Sequence, residues 1–247
     1  MRQLALLVAI AACKQTAGDD YPVDPNNNAN QDGTNDAASG AHDAAVPVDG
    51  TAAMISARVC VLTDPRDLTS CRNTGTGALR VTLGTSMATT DDSGAFTIAT
   101  PTGTNLVWRV SGTGLQPSVM QYGPSLTIPA LLAADYNSLE VGNGVQVQTA
   151  DQGEIFVHVV RAGASVTGAH GASAPSPFYG VLYDTNIAAV WNINASVGTG
   201  AHGMLWYPAT PIGTATISVT PMGGTAVMTP NVLVESQAIT YLSVTVP

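Results

Sequence analysis

"MISARVCVL", residues 54–62, decides the fold class. Ile55, Ala57, Val59 and Val61 fall on one face of an extended chain, and Ser56, Arg58 and Cys60 fall on the other. This period of two marks a strand half buried against a core. Downstream the same grammar recurs in "LRVTLG" (79–84), "AFTIAT" (95–100), "LVWRVSG" (106–112), "PSVMQ" (117–121) and "SLTIPA" (125–130), divided by Gly, Pro, Asp and Asn clusters. Short strands spaced about ten residues apart predict a β-sandwich rather than a parallel α/β sheet.

At "PALLAADYNSLEVGNG" the pattern breaks. Leu131, Leu132, Tyr136 and Leu139 take a roughly helical spacing with Gly142 as a terminator, which predicts a short connecting helix within 131–150. The strand grammar then restarts. "EIFVHVVRAG" (154–163) parallels "MISARVCVL", "HGMLWYPA" (202–209) parallels "SGAFTIATP" (93–101), and "TATISVTP" (214–221) parallels "NLVWRVSG". "SLTIPA" and "ITYLSVTVP" close the two series. The expectation is an all-β chain of two divergent copies: tandem antiparallel β-sandwich domains at 51–130 and 151–247, joined by a helical connector at 131–150.

Composition agrees. The 247 residues are 45% hydrophobic and only 10% charged, with 25 Gly and 15 Pro. The net charge of −9 is uneven: residues 14–50 hold seven Asp against one Lys, whereas 51–247 carry ten acids and six arginines. A polyphosphate backbone repels such a surface, so nucleic acid is not an expected partner.

The N-terminus reads "MRQLALLVAIAAC": one arginine, an apolar run from Leu4 to Ala12, then Cys13. That run is too short to span a bilayer, for which about 20 residues are needed, and has the form of a signal-peptide core. Ile10, Ala11, Ala12 and Cys13 resemble the lipobox of bacterial lipoproteins. The resemblance implies a signal peptide at 1–12 and a lipidated Cys13 as the mature N-terminus, held to a membrane by its acyl chains. Lys14 after the cysteine resembles the sorting pattern for an outer membrane. The tract that follows, to residue 50, lacks any apolar period and is expected to be a disordered acidic tether, reaching on the order of 35 Å. Its "DPNNNANQDG" fails as a helix–loop–helix calcium loop, because Ala29 and Asn35 stand where Gly and a bidentate Glu are required.

"TTDDSGAFTIATP" (89–101) resembles the T-x-D-x-x-G-x-F-x-I-x-x-P signature of carboxypeptidase regulatory-like domains, which are small prealbumin-like (transthyretin-like) or Ig-like sandwiches. "GASVTGAH" (163–170) is similar to a turn-strand element of that family. The second copy departs from the pattern by an insertion around 172–198 and by "GTGAHG" in place of the acidic turn. Lipobox, linker and paired domains together resemble lipoproteins of predatory or soil deltaproteobacteria such as myxobacteria. That implies a cell-envelope address, at the outer membrane or cell surface, and no particular activity.

In an exported chain Cys60 and Cys71 are expected to form a disulfide worth roughly 3 kcal/mol, with Cys60 on the polar face of its strand. No nucleophile motif or two-pair Cys array occurs, so no catalytic, metal or cofactor site is assigned. "TGAHG" occurs at 167–171 and again at 199–203, but Gly203 matches the turn glycine Gly94 while Gly168–Ala169 belong to the turn-strand element, so His170 and His202 are not read as a pair. Eight of thirteen aromatic residues lie in 151–247, and Phe178, Tyr179, Tyr183 and Trp191 are the candidate stacking surface. The function expected is a lipid-anchored, non-catalytic structural or interaction module. The alternative is a carbohydrate-binding or adhesion module, with a glycan or an envelope protein as partner.

Overall fold

The computed structural model describes residues 53–247 apart from 73, 75 and 147; the lipobox, Cys13 and the tether to residue 50 lie outside the described residues. The first half contains β1 (Met54–Val61), β2 (Arg80–Leu83), β3 (Ser86–Thr89), β4 (Ala95–Ala99), β5 (Val107–Ser111), β6 (Leu115–Gln116), β7 (Ser118–Gln121) and β8 (Thr127–Leu132). Helix α1 (Ala133–Gly142) follows. The second half contains β9 (Gln152–Arg161), β10 (Ala164–Ser165), β11 (His170–Ala174), β12 (Leu182–Asp184), β13 (Trp191–Asn192), β14 (Met204–Pro211), β15 (Gly213–Thr220), β16 (Val227–Val234) and β17 (Ile239–Thr245).

One pairing pattern occurs twice. In the first half β1 lies between β4, antiparallel, and β8, parallel. In the second, β9 lies between β14, antiparallel, and β17, parallel. Opposite these, β2–β5–β7 and β11–β15–β16 form antiparallel ladders. The four stretches matched in sequence take the same places in both halves: β1 with β9, β4 with β14, β5 with β15, β8 with β17. The sheets are therefore mixed rather than purely antiparallel. The first and last strands of each half are joined by a long path, so they can pair in parallel without a hairpin.

The correspondence extends to single hydrogen bonds. The Val59 N–H donates to the Gly94 carbonyl at 2.8 Å, and the Val159 N–H donates to that of Gly203 at 2.8 Å. Both glycines have positive φ, and a Cβ added to either would meet the carbonyl oxygen of Val59 or Val159 at 2.5 or 2.8 Å, so each position requires glycine. Thr90 Oγ1 accepts from the Leu79 N–H and donates to the Thr76 carbonyl; Thr199 Oγ1 does the same with Ala169 and Val166. The acidic turn differs. In the first half Asp91 Oδ1 accepts from the N–H groups of Ser93 and Ala95. In the second, Asp184 of the inserted strand β12 takes over, accepting from the N–H groups of Gly200, His202 and Met204, each at 2.9 Å. The insertion thus restores the carboxylate that "GTGAHG" lacks.

Each half has its own core between its two ladders, around Val59, Val81 and Trp108 in the first and around Ile155, Leu205 and Ile217 in the second. A third core fills the seam between them. It draws Cys60, Leu62 and Leu131 from the first half, Tyr136 and Leu139 from α1, and Phe156, Trp206 and Tyr241 from the second. Cys60 is therefore fully buried. The polar face assigned to it is covered at that end of β1 by the other half. β9 and β14 are likewise buried on both faces, which explains their near-continuous apolar runs. β7 and β17 pair in parallel across the seam, joining strands of both halves into one continuous sheet, and Gly50–Pro247 forms one compact unit.

Candidate binding cleft

Four aromatic residues of the second half, Phe156, Trp191, Trp206 and Tyr241, pack in the seam core. Phe156 stacks on Trp206 at 5.6 Å and on Tyr241 at 5.8 Å, with Trp191 edge-on at 5.6 Å. Of the four residues expected to form a platform, Tyr183 and Trp191 are 2% and 6% exposed and lie in different cores. Tyr179 is half-buried against the seam core, and Phe178 alone is well exposed, at 76%, meeting Tyr179 edge-on. Alternating strands have to cover two faces where two sandwiches meet, and large aromatics do this with few residues.

Cys60 and Cys71 form a disulfide, with Cα atoms 5.0 Å apart. The loop it closes carries Arg66, 4% exposed, whose guanidinium forms a fork on Asp64 and donates from Nη1 to the carbonyls of Thr185 at 2.8 Å and Ile187 at 2.6 Å. A loop of the first half thereby fixes the insertion of the second. The histidines are dispersed in role: His170 lies edge-on to Tyr183, and His158 Nε2 is 2.9 Å from Ser165 Oγ. Among the described residues, no group of three or more His, Cys, Asp or Glu is placed to hold a metal ion.

Beside α1 lies a polar cluster that sequence reasoning missed. Tyr136 donates its hydroxyl to Glu140 Oε1 at 2.8 Å and accepts from Gln148 Nε2 at 2.7 Å. Glu154, fully buried, accepts from Trp206 Nε1 and, at 2.8 Å, from the Ala209 N–H. Burial pushes the Glu154 carboxyl up to about 8, against hydrogen bonding from Ala209, Trp206 and Tyr136 that opposes the shift. Burial raises Glu140 as well. Glu154 is thereby held largely neutral near pH 7, a packing element of the seam. The only sequence signal was an acid inside an otherwise apolar strand.

The concave feature best suited to a ligand is a cleft of about 400 Å³ on the seam. Arg58, Ser125 and Thr127 line it from the first half, and His158, Tyr241 and Ser243 from the second. These are matched positions. Arg58 pairs with Thr127 as His158 pairs with Ser243, and two residues earlier stand Ser125, just before β8, and Tyr241, on β17. The same outward positions of the two copies thus face one space, closed at its rim by Leu68 and Cys71 of the disulfide loop. Burial lowers the His158 imidazole below its ordinary value, which leaves Arg58 as the cation of the cleft. Volume, apolar walls and a few convergent polar groups are the attributes of a small-molecule site.

No protein-family model matches the chain, and no curated protein matches it. Among solved structures it is similar to the major pilin subunit of Bacillus cereus, at 12% identity over 68% of this chain and 54% of that one, with a TM-score of 0.23. It is also similar to the group B streptococcus pilus 2b backbone protein, at 14% identity over 68% of this chain and 78% of that one, with a TM-score of 0.22. The chain spans about half the length of the first of these. Both similarities are too slight to bear on fold or function.

Proposed function

We propose that this chain is a non-catalytic structural and interaction module of the bacterial cell envelope, anchored by lipid on Cys13 and held off the membrane by the tether that ends at residue 50. Its body is read as two tandem prealbumin-like sandwiches, 51–130 and 151–247, with α1 as part of the 131–150 connector. The observation that carries the reading is the seam: Phe156, Trp191, Trp206 and Tyr241 pack the two halves against each other. A rigid body of this kind transmits position and presents surface, and its buried acids serve packing. Membrane contact is made through the lipid, at the outer membrane or cell surface; nucleic acid and cofactors have no part in it.

The test is metabolic labelling with a clickable fatty acid in a two-membrane host, followed by membrane fractionation. The wild-type chain is labelled and sediments with outer membranes, and Cys13→Ser abolishes both. Labelling that survives Cys13→Ser overturns the anchor. The adhesion reading keeps one observation in its favour, the exposed Phe178 beside Tyr179. It requires a glycan-array signal that Phe178→Ala removes.

A further inference from the structure

We propose that the seam cleft is a binding site for a small amphipathic carboxylate, its head on Arg58 and its apolar body along the wall formed by Leu68, Met120, Pro129 and Tyr241. Three observations lead there. Among the described residues the Arg58 guanidinium makes no ion pair or side-chain hydrogen bond, whereas Arg66, Arg72 and Arg109 each pair with a carboxylate. Among the described residues no carboxylate lines the cleft, although the chain as a whole is strongly acidic. Tyr241 lines the cleft, and its buried hydroxyl has no hydrogen-bond partner among the described residues.

The chemistry follows from the charge and the shape. A planar guanidinium receives a carboxylate through two parallel hydrogen bonds. The surrounding acidity disfavours polyanions and leaves a compact, singly charged head as the fitting partner. A neighbouring groove lined by Arg58, Arg72, Ser93 and Ala95 meets the cleft at Arg58, so the head lies at the opening and the tail runs inward. By contrast, a second groove of about 420 Å³, lined by Val107, Thr229 and Asn231 among others, carries no charged residue among the described residues and offers no such head site. The cleft exists only because the duplicated halves are joined: each supplies the same outward positions, and neither encloses the space alone.

The site deepens the reading of the body as an interaction module and rests on it, but it fails separately, because Cys13 labelling is independent of the cleft. The test is isothermal titration of the full mature chain, made soluble by Cys13→Ser, with sodium decanoate below its micellar concentration. Decanol and acetate test tail and head alone, and decanoyl lysophospholipid tests a lipid source. Decanoate binding at one per chain, with Arg58→Gln weakening it about tenfold or more while the melting temperature holds, is the expected result. Ser243→Trp, at an exposed position on the cleft wall, blocks it, and Arg80→Gln, outside the cleft, leaves it unchanged. Lysophospholipid binding in place of decanoate assigns the head to phosphate and overturns the carboxylate. No heat with decanoate, equal affinity for decanol or acetate, or an Arg58→Gln variant that binds as wild type each overturns the proposal.

Discussion

Glu154 shows how one buried acid ties the fold to pH. Its proton is held more tightly in the folded chain, where burial moves its pKa from 4.5 to about 8, than in the unfolded one. The stability it contributes is therefore full below about pH 4.5 and is lost as pH rises toward 8, at about 1.4 kcal/mol per pH unit of displacement. Urea midpoints should fall by several kcal/mol in stability between about pH 5 and about pH 8.5, and Glu154→Gln should flatten that slope. A wild-type profile already flat across the interval would show that Glu154 titrates normally. The paired threonines offer a second measurement. Thr90→Val and Thr199→Val each leave a buried N–H and a carbonyl without a partner, and each should cost about 1–3 kcal/mol. A large loss at one site and none at the other would mean that the shared geometry is not shared energetically. Asp91 and Gly94 were legible as a turn in "TTDDSGAFTIATP". Asp184 was not, because it reaches its turn from a strand that is remote in sequence.

Among elements, the disulfide loop and the insertion form one unit. The insertion extends the sheet by short strands only, β12 and β13, and Arg66 holds the chain just beyond β12 at the carbonyls of Thr185 and Ile187. Replacing both Cys60 and Cys71 with Ser should cost about 2–4 kcal/mol and should speed proteolytic cleavage within 185–198, which limited proteolysis with mass spectrometry would locate. Arg66→Ala should reproduce the faster cleavage with the disulfide intact. Cleavage confined to 64–71 in both variants would show that the insertion stands by itself. Most strands were legible because one buried face imposes alternation. β16 was not: "VMTPNVLV" contains Pro230 and has Asn231 at positive φ, features tolerated because this strand lies at the edge of its sheet. α1 was legible from Leu139 and Gly142, although its N-terminus has no side-chain cap and it depends on tertiary packing of Tyr136 and Leu139.

For the whole molecule, the seam predicts cooperativity. With a shared sheet at β7–β17 and a shared core, the two halves should unfold in one transition by circular dichroism and by tryptophan fluorescence, since Trp108 lies in the first core and Trp206 in the seam. Phe156→Ala, at a fully buried position stacked between Trp206 and Tyr241, should lower stability by about 3–5 kcal/mol. It should shift both probes together, whereas separate midpoints would mean that the halves fold independently.

The sequence by itself determined the β class, the recurring strand order, a short helix within 131–150 and the disulfide, because each rests on local period, local turn chemistry or a count of cysteines. Only the tertiary structure decided what the second faces of the strands do. Alternation says that a face is apolar without saying against which body it packs. Of the aromatics read as an exposed platform, Trp191 lies in the seam core and Tyr183 in the second half's own core while Phe178 stays exposed, Cys60 is buried where a polar face was expected, and the cleft at Arg58 and His158 exists only where two copies meet. Burial on both sides is a property of the assembled halves, and no window of residues within either half contains it.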